Sequence, residues 1–426
     1  MRKLASLVEI DKILPIEGAD KIEVATMVGK GWKVVVAKDE FKPGDLAVYF
    51  EIDSYLPADD ERYAFLSERC LRKFVSKSGQ VIRDGIKIKT IKLRGQVSQG
   101  LLIPVEKFIG ADKEIQYSEE EATPYNCVTE GGKPIIKNEI EGMSVCCLFY
   151  TKPAYENEDG TKVDAERVPV VEGTDLTALL RVEHYDEVKE SLAPVTGANP
   201  ISADAMGKFP SDWIPKTDEE RIQNLTDYFD TMKGRKFEVT EKNDGTSVTM
   251  FYSPTIDAEN PFGVCSRNLR LKPETADGAV PLAWQIAKKL DVEAKIKAAN
   301  GSANTELAFQ GELVGPGINK NRDGYKDFEW HIFKVYDIKA QKFLLPSETR
   351  FICKAVGLEH VPVIEEEKAV FDEFTNVDDL LKYAEGKTAH GNEREGLVFK
   401  SVDEPYRTFK AVSNRYLIKV ESKEDD

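Results

Sequence analysis

Two apolar, β-branched runs meet at Glu241-Lys242-Asn243-Asp244-Gly245. Phe237-Glu238-Val239 leads in, and Ser247-Val248-Thr249-Met250-Phe251-Tyr252 leads out. Runs of that composition read as strands, and the Asn-Asp-Gly between them reads as a tight turn. The pattern predicts a lysine at the end of a strand, held at the mouth of a pocket. A lysine so placed is a candidate covalent nucleophile. With Lys, Asp and Gly each at ~6–7% of residues, chance supplies Lys-x-Asp-Gly in roughly one chain in ten of this length. The rest of the sequence therefore decides.

At 426 residues the chain exceeds what one core ordinarily holds, so two or three domains are expected. No apolar run approaches ~18 residues, so no transmembrane helix is expected and membranes drop out as partners. Met1-Arg2-Lys3-Leu4-Ala5 passes directly into a strand-like pattern without the apolar core of a signal peptide. The cysteines (Cys70, Cys127, Cys146, Cys147, Cys265, Cys353) form no Cys-x-x-Cys pair. They read as reduced thiols, which suits the cytoplasm or another reducing compartment. Four histidines, none at ligand spacing from a cysteine, argue against zinc. The net charge of −16 argues against a general affinity for nucleic acid. Charge is uneven, however. Arg69, Arg72, Lys73, Lys77, Arg83, Lys87, Lys89, Lys92 and Arg94 face only one acid, Asp84, while Glu119-Glu120-Glu121, Asn157-Glu158-Asp159, Glu365-Glu366-Glu367 and Glu424-Asp425-Asp426 gather the opposite sign. Such a basic run is as readily a solvated face as a binding face.

Residues 1 to about 105 read as short strands broken by turns such as Phe41-Lys42-Pro43-Gly44-Asp45. Ile86-Lys87-Ile88-Lys89-Thr90-Ile91-Lys92-Leu93 alternates apolar with basic or polar residues, as one strand with a basic face would. Evenly spaced short strands suggest a small closed barrel, for which an OB-fold is the best fit, and OB barrels hold nucleic-acid strands along a basic groove. Gly173 to Leu180 reads as a helix capped by Thr174 or Asp175. A helix start capped by Thr217 is expected from Pro215 to Asn224, and one amphipathic helix over 281–298. The boundaries expected are 1–187 for the barrel domain with an acidic insertion near 106–165, 188–206 for a linker rich in Pro, Ala, Ser and Gly, and 207–426 for the domain carrying Lys242.

Five further signatures follow Lys242 in order. They are Ser266-Arg267-Asn268, Gln310-Gly311-Glu312-Leu313-Val314-Gly315, Phe333-Lys334-Val335-Tyr336-Asp337, Glu395-Gly396-Leu397-Val398-Phe399-Lys400, and Phe409-Lys410-Ala411-Val412. The series resembles the covalent nucleotidyltransferases: ATP-dependent RNA and DNA ligases and capping enzymes. Within that superfamily it is most similar to ATP-dependent RNA ligases of the nick-sealing subgroup, which place an OB domain before the catalytic domain. Phe209-Pro210-Ser211-Asp212-Trp213 and Gly173-Thr174-Asp175 share the subgroup's look, and too few residues follow Lys410 for an OB domain at the other end.

The chemistry fits the residue types. A lysine attacks phosphorus only when uncharged, yet its ordinary pKa is ~10.4. Burial and nearby cations lower that value, and a divalent ion beside it also neutralises phosphate. Hard oxygen ligands suit Mg²⁺ or Mn²⁺. The resemblance implies that Lys242 carries AMP from ATP and that Asp244, Glu312 and Glu395 surround the metal. It implies that the backbone of Glu241 reads the adenine edge and that Phe333 stacks on the base. Arg267 with Asn268 would contact the ribose and nucleic acid, Arg221 the phosphates, and Lys410 the α-phosphate; Gly245 and Lys400 belong to the same nucleotide-binding signatures. One departure stands out: where many members carry Lys-x-Lys, this chain has Thr408-Phe409-Lys410, with Arg407 beside it.

The expectation is an α+β protein: an N-terminal OB-fold barrel, then an antiparallel-sheet adenylyltransferase domain. The implied activity is ATP-dependent sealing of a 3′-OH/5′-phosphate nick in a duplex with an RNA 3′-OH strand, by a monomer. Three alternatives stay open. They are a DNA ligase, a guanylyltransferase that would label with GTP, and a non-catalytic OB-fold nucleic-acid-binding protein, against which the intact Lys242, Asp244, Glu312 and Glu395 argue.

Overall fold

The computed structural model describes residues 2–66, 70–76, 78–110, 112–121, 127–130, 133–136, 144–156, 161–196, 205–275 and 277–422. The chain divides into two compact units, one within residues 1–198 and one over 199–420. The middle of the expected linker (197–204) and parts of the acidic insertion lie outside the described residues, as do Arg69, Lys77 and the acidic tail.

The first unit is built on a five-stranded antiparallel sheet ordered Leu101–Pro104, Leu46–Phe50, Ala5–Pro15, Ile22–Met27, Lys30–Ala37. Leu7, Val48, Phe50, Leu56 and Phe108 bury beneath it. The alternating stretch from Ile86 is not one strand. Val81–Lys87 ends in one sheet and Thr90–Leu93 begins in another. Its basic face is divided too: Lys87 and Lys89 are buried, Lys87 with its ammonium 4.7 Å from the Tyr185 ring, whereas Lys92 and Arg94 are exposed. Alternation alone could not see that the chain changes sheets at Ile88. Two expected elements also differ. Residues 173–180 form turns held by Asp175, whose carboxylate accepts from the Thr177 amide at 2.9 Å. The helix Tyr185–Thr196 occupies the first part of the expected linker despite Pro194.

The second unit packs helices on two largely antiparallel sheets, with one parallel pairing, Glu220–Arg221 beside Thr408–Val412, at the edge of the smaller. The larger sheet is ordered Ala205–Lys208, Leu269–Leu271, Phe262–Cys265, Thr246–Tyr252, Leu307–Val314, Glu329–Asp337, Lys342–Phe343. The smaller is ordered Glu220–Arg221, Thr408–Val412, Gly396–Ser401, Phe237–Lys242, Val363–Lys368. Each sheet buries an apolar core on one face, and the larger also buries Phe251, Cys265, Ala308 and Tyr336 on its other face. Val248, Met250, Phe309, Trp330 and Ile332 pack on the helices Leu282–Lys289, Val292–Ala303 and Pro346–Val356. Phe237, Val239, Leu397, Phe399 and Phe409 form the other core, with Phe399 stacked on Phe409 at 4.6 Å. Burying each such ring contributes ~1.5–3 kcal/mol. The helix expected over 281–298 is two helices, broken at Leu290-Asp291, where Asp291 is left-handed (φ 51°). No helix among the described residues is long and apolar enough to cross a membrane.

Candidate active site

The Lys242 turn joins the two sheets. Phe237–Lys242 belongs to the smaller sheet and Thr246–Tyr252 to the larger, so the strands on either side of the turn do not pair with each other as a hairpin would. Gly245 sits at the crossing. A Cβ there would run into the Leu313 carbonyl and the Glu312 side chain, so glycine is required by closeness.

Register assigns side chains to faces. In the smaller sheet Lys242 opposes Gly396, Glu238 opposes Lys400, Thr240 and Lys410 both oppose Val398, and Arg221 pairs with Lys410. Period-two alternation puts Lys242, Lys400, Lys410 and Arg221 on one face, opposite the phenylalanine core. In the larger sheet Glu312 opposes Ser247 and His331, and Gln310 opposes Thr249 and Lys334. These form the face opposite Val248 and Phe309. Lys400 Nζ donates to the Phe333 carbonyl at 2.8 Å, tying the two sheets together. Phe333 itself is the extra residue of a bulge between the Gln310 and Gly311 pairings and is half-buried. Lys242 Nζ lies 2.7 Å from Glu395 Oε1, and the lysine side chain keeps 27% of its exposure. A partly exposed lysine on a cation-bearing sheet face with carboxylates beside it suits an anionic ligand.

Residues 235–420 match the RNA ligase family model, and residues 4–105 match a model of an OB-fold domain. No curated protein matches the chain. Among solved structures it resembles the RNA ligase of Naegleria gruberi throughout. A glutamate-to-alanine variant with ATP and Mn aligns at 30% identity and TM-score 0.70, covering 98% of this chain and 99% of that one. The ligase with pyrophosphate aligns at 30% and 0.69 with the same coverage. An apo aspartate-to-alanine variant aligns at 29% and 0.69, covering 100% and 99%. The chain belongs to the RNA ligase family. Its first unit is an OB-fold domain and its architecture is α+β, as the sequence led us to expect.

In this RNA ligase the expected site residues are only partly assembled. Glu241 lies on the face opposite Lys242, buried, and its amide already donates to the Pro362 carbonyl at 2.9 Å. Burial, then Asp323, pushes the Glu241 carboxyl up to about 7. Arg221 is not on a helix: Pro215–Glu219 is irregular, and Arg221 ends a two-residue strand with 7% exposure. Arg267 is more open, 3.9 Å from Asp218. Asp218, which sequence reasoning passed over, also sits 2.7 Å from Lys410 Nζ and so joins the expected ribose and nucleic-acid contact to the expected α-phosphate contact. Burial lowers Lys410, with Asp218 opposing it and Arg221 adding to it.

The three expected metal carboxylates do not converge. Among the described residues no three His, Cys, Asp or Glu side chains are grouped to hold an ion. The reason is Asp244. Its carboxylate accepts from Arg322 Nη1 and Asn319 Nδ2, each at 3.0 Å, and from the Tyr416 hydroxyl. Glu312 and Glu395 remain. Burial first, with the surrounding acids reinforcing it, raises both, Glu312 to about 8. Two half-buried carboxylates sharing one nearby ammonium are short of positive charge, and such hard oxygen donors fit a Mg²⁺ or Mn²⁺ ion. The Asn319–Tyr325 loop and Tyr416 were missed entirely. Gly315-Pro316-Gly317-Ile318-Asn319-Lys320-Asn321, dense in residues that tolerate unusual backbone, was the available signal.

Proposed function

We propose that the chain joins RNA ends through a lysyl-AMP intermediate. Lys242 Nζ, having shed its proton, attacks the α-phosphorus of ATP; the N–P bond forms, the bond to the β-phosphate oxygen breaks, and pyrophosphate leaves. The 5′-phosphate of a strand end then displaces Lys242, giving an adenylated end. The 3′-OH of the neighbouring strand attacks that 5′-phosphorus and expels AMP. The substrate is a nicked duplex with an RNA 3′-OH strand.

The observation that carries this reading is Lys242 at the turn that crosses between two sheets, with Glu395 and Glu312 acting on its ammonium and Lys410 and Arg221 on the same sheet face. The Naegleria gruberi ligase is described with ATP and Mn, with AMP and Mn, and with pyrophosphate, the substrate and products of the first step. Its solved variants alter a lysine and an aspartate two residues later, the spacing of Lys242 and Asp244 here.

Lys410 and Arg221 bind the phosphates as fixed positive charge, which stabilises a phosphoryl group as its charge spreads in the transition state. Phe333, half-buried at its bulge, stacks on adenine. Glu395 holds Lys242 and accepts its proton or passes it to solvent. Glu312 and Glu395 would hold a divalent ion, which supplies charge neutralisation at the phosphates. The basic surface that includes Lys92 and Arg94 contacts the nucleic-acid backbone.

The test is label transfer. The protein is incubated with α-labelled ATP and Mg²⁺, with GTP and NAD⁺ in parallel and Lys242→Ala as control. A band from ATP alone that the variant lacks is expected. No band from folded wild-type protein with any nucleotide would overturn the reading. Nicks with 3′-ribose and 3′-deoxyribose ends then decide the strand.

A further inference from the structure

The loop between the strands Leu307–Val314 and Glu329–Asp337 is far longer than a hairpin needs, and its backbone is unusual. Asn319, Lys320 and Asn321 are consecutive non-glycine residues in the left-handed region, at φ 44°, 59° and 48°, flanked by Gly317 and Gly324 at 84° and 86°. Conformations of this kind persist only where the surroundings over-determine them. Here the surroundings are the Lys242 turn. Asn319 Nδ2 donates to Asp244 Oδ1 at 3.0 Å and to the Gly245 carbonyl at 2.5 Å. Arg322 Nη1 meets Asp244 Oδ2 at 3.0 Å. The Asp244 amide donates to Asp323 Oδ2 at 2.8 Å. Asn243 Nδ2 donates to the Tyr325 hydroxyl at 2.8 Å. Every residue of the Asn243-Asp244-Gly245 turn is thus gripped by one loop.

The grip is anchored. Asp323 is 1% exposed, and its own carbonyl accepts from Thr388 Oγ1 at 3.1 Å. Tyr325 is buried edge-on against His390, with ring centres 4.7 Å apart. Asp244 is nearly buried, its side chain 9% exposed, so the donors it accepts from are its solvation. A turn that crosses between two sheets has no hairpin partner to hold it, and this loop takes that role.

We propose that Asn319 and Arg322 are positioning residues of the adenylylation step, holding Asp244 and thereby fixing where the strand ending at Lys242 delivers its ammonium. This rests on the lysyl-AMP reading. It goes further by assigning Asp244 to the frame that aims the lysine and by giving two residues outside the expected signatures a part in the reaction. Displacement of a reacting group by about 1 Å can cost 10²-fold in rate without loss of binding. The loop therefore acts on the chemical step and leaves ATP affinity alone.

The experiment uses the full chain and two readouts. Arg322→Ala removes the charge on Asp244. Asn319→Gly keeps a residue at ease in the left-handed region while deleting both side-chain hydrogen bonds. Hydrogen exchange is followed by mass spectrometry in a peptide spanning 240–248, with a peptide over 397–401 as internal reference. Single-turnover label transfer from saturating ATP is measured in parallel with ATP affinity. We expect exchange in the turn to speed up about tenfold in both variants with the reference unchanged. Adenylylation should slow about 100-fold in Arg322→Ala with ATP affinity within threefold of wild type, and Arg322→Lys should recover about tenfold of that loss. Unchanged exchange in the turn overturns the proposal whatever the activity. So does faster exchange with wild-type adenylylation, and so does a rate loss matched by an equal loss of ATP affinity. If wild-type protein takes no label, the lysyl-AMP reading fails separately, and positioning of Lys242 for adenylylation falls with it, while exchange still reports whether the loop holds the turn.

Discussion

Lys242 Nζ is 2.7 Å from Glu395 Oε1, and the backbone partner of Lys242 is Gly396, the next residue after that glutamate. Lys242 and its carboxylate partner are thus fixed by adjacent, hydrogen-bonded strands. Burial works to lower the lysine, but Glu395, then Glu312 and Asp244, outweigh it and hold Lys242 above its ordinary value.

That balance predicts a pH dependence. The reactive amine is the minor form at neutral pH, so lysyl-AMP formation at subsaturating Mg²⁺ should rise with pH, about tenfold per unit between pH 6 and 8. Glu395→Gln removes the main partner of the ammonium and should move the profile to lower pH, while raising the Mg²⁺ needed for half-maximal rate by at least about tenfold. A flat wild-type profile would contradict the ion-pair account.

Glu312 predicts a stability effect of definite sign. Its carboxyl is lifted to about 8 by burial. A group raised on folding stabilises fully below its unfolded value of ~4.3, and that stabilisation is lost as pH rises through the folded value. Glu312→Gln should therefore be more stable than wild type at pH 8, by roughly 1–3 kcal/mol, and equal to it near pH 4. Urea midpoints at the two pH values measure this; equal differences at both would refute it.

Gly245→Ala should be costly despite its small volume. The added methyl meets backbone at Leu313, which cannot swing aside as a side chain can. A loss of about 1–3 kcal/mol is expected, with label transfer reduced at least about 100-fold as the turn shifts. Retention of wild-type labelling would show that the sheet crossing tolerates movement.

Asp218 holds Lys410 at 2.7 Å in the place expected for phosphate. Replacing it with asparagine removes a competing anion, so pyrophosphate and ATP should bind several-fold more tightly. Calorimetry with pyrophosphate alone reads this directly, and weaker binding would assign Asp218 a different role.

The OB-fold surface separates from the chemistry. Lys92→Glu with Arg94→Glu should leave lysyl-AMP formation intact, weaken binding to a nicked duplex, and reduce the salt dependence of that binding by about two released counterions. Loss of labelling in the double variant would count against independent roles.

The candidate site residues were legible in the sequence because the proposed chemistry calls for those residue types. A lysine two residues before an aspartate, one glutamate late in a strand and another just ahead of a strand, and a late lysine can be read without coordinates, and so can the alternation that buries Phe237, Val239, Phe399 and Phe409. Local readings failed where long-range pairing overrode them. Arg221 became a strand residue because Lys410, 189 positions away in the chain, offered it a partner. Ile86–Leu93 broke because its two halves found different sheets.

The sequence by itself determined the enzyme family and the order of its OB-fold and ligase regions, since those rest on residue types and near-neighbour spacing. Tertiary structure alone decided that the Lys242 turn crosses between sheets, that Asp244 faces Arg322, Asn319 and Tyr416, and that Asp218 occupies Lys410. Each depends on contacts between residues tens to nearly two hundred positions apart. Register and loop closure fix such contacts, and neither is written in any local stretch of chain.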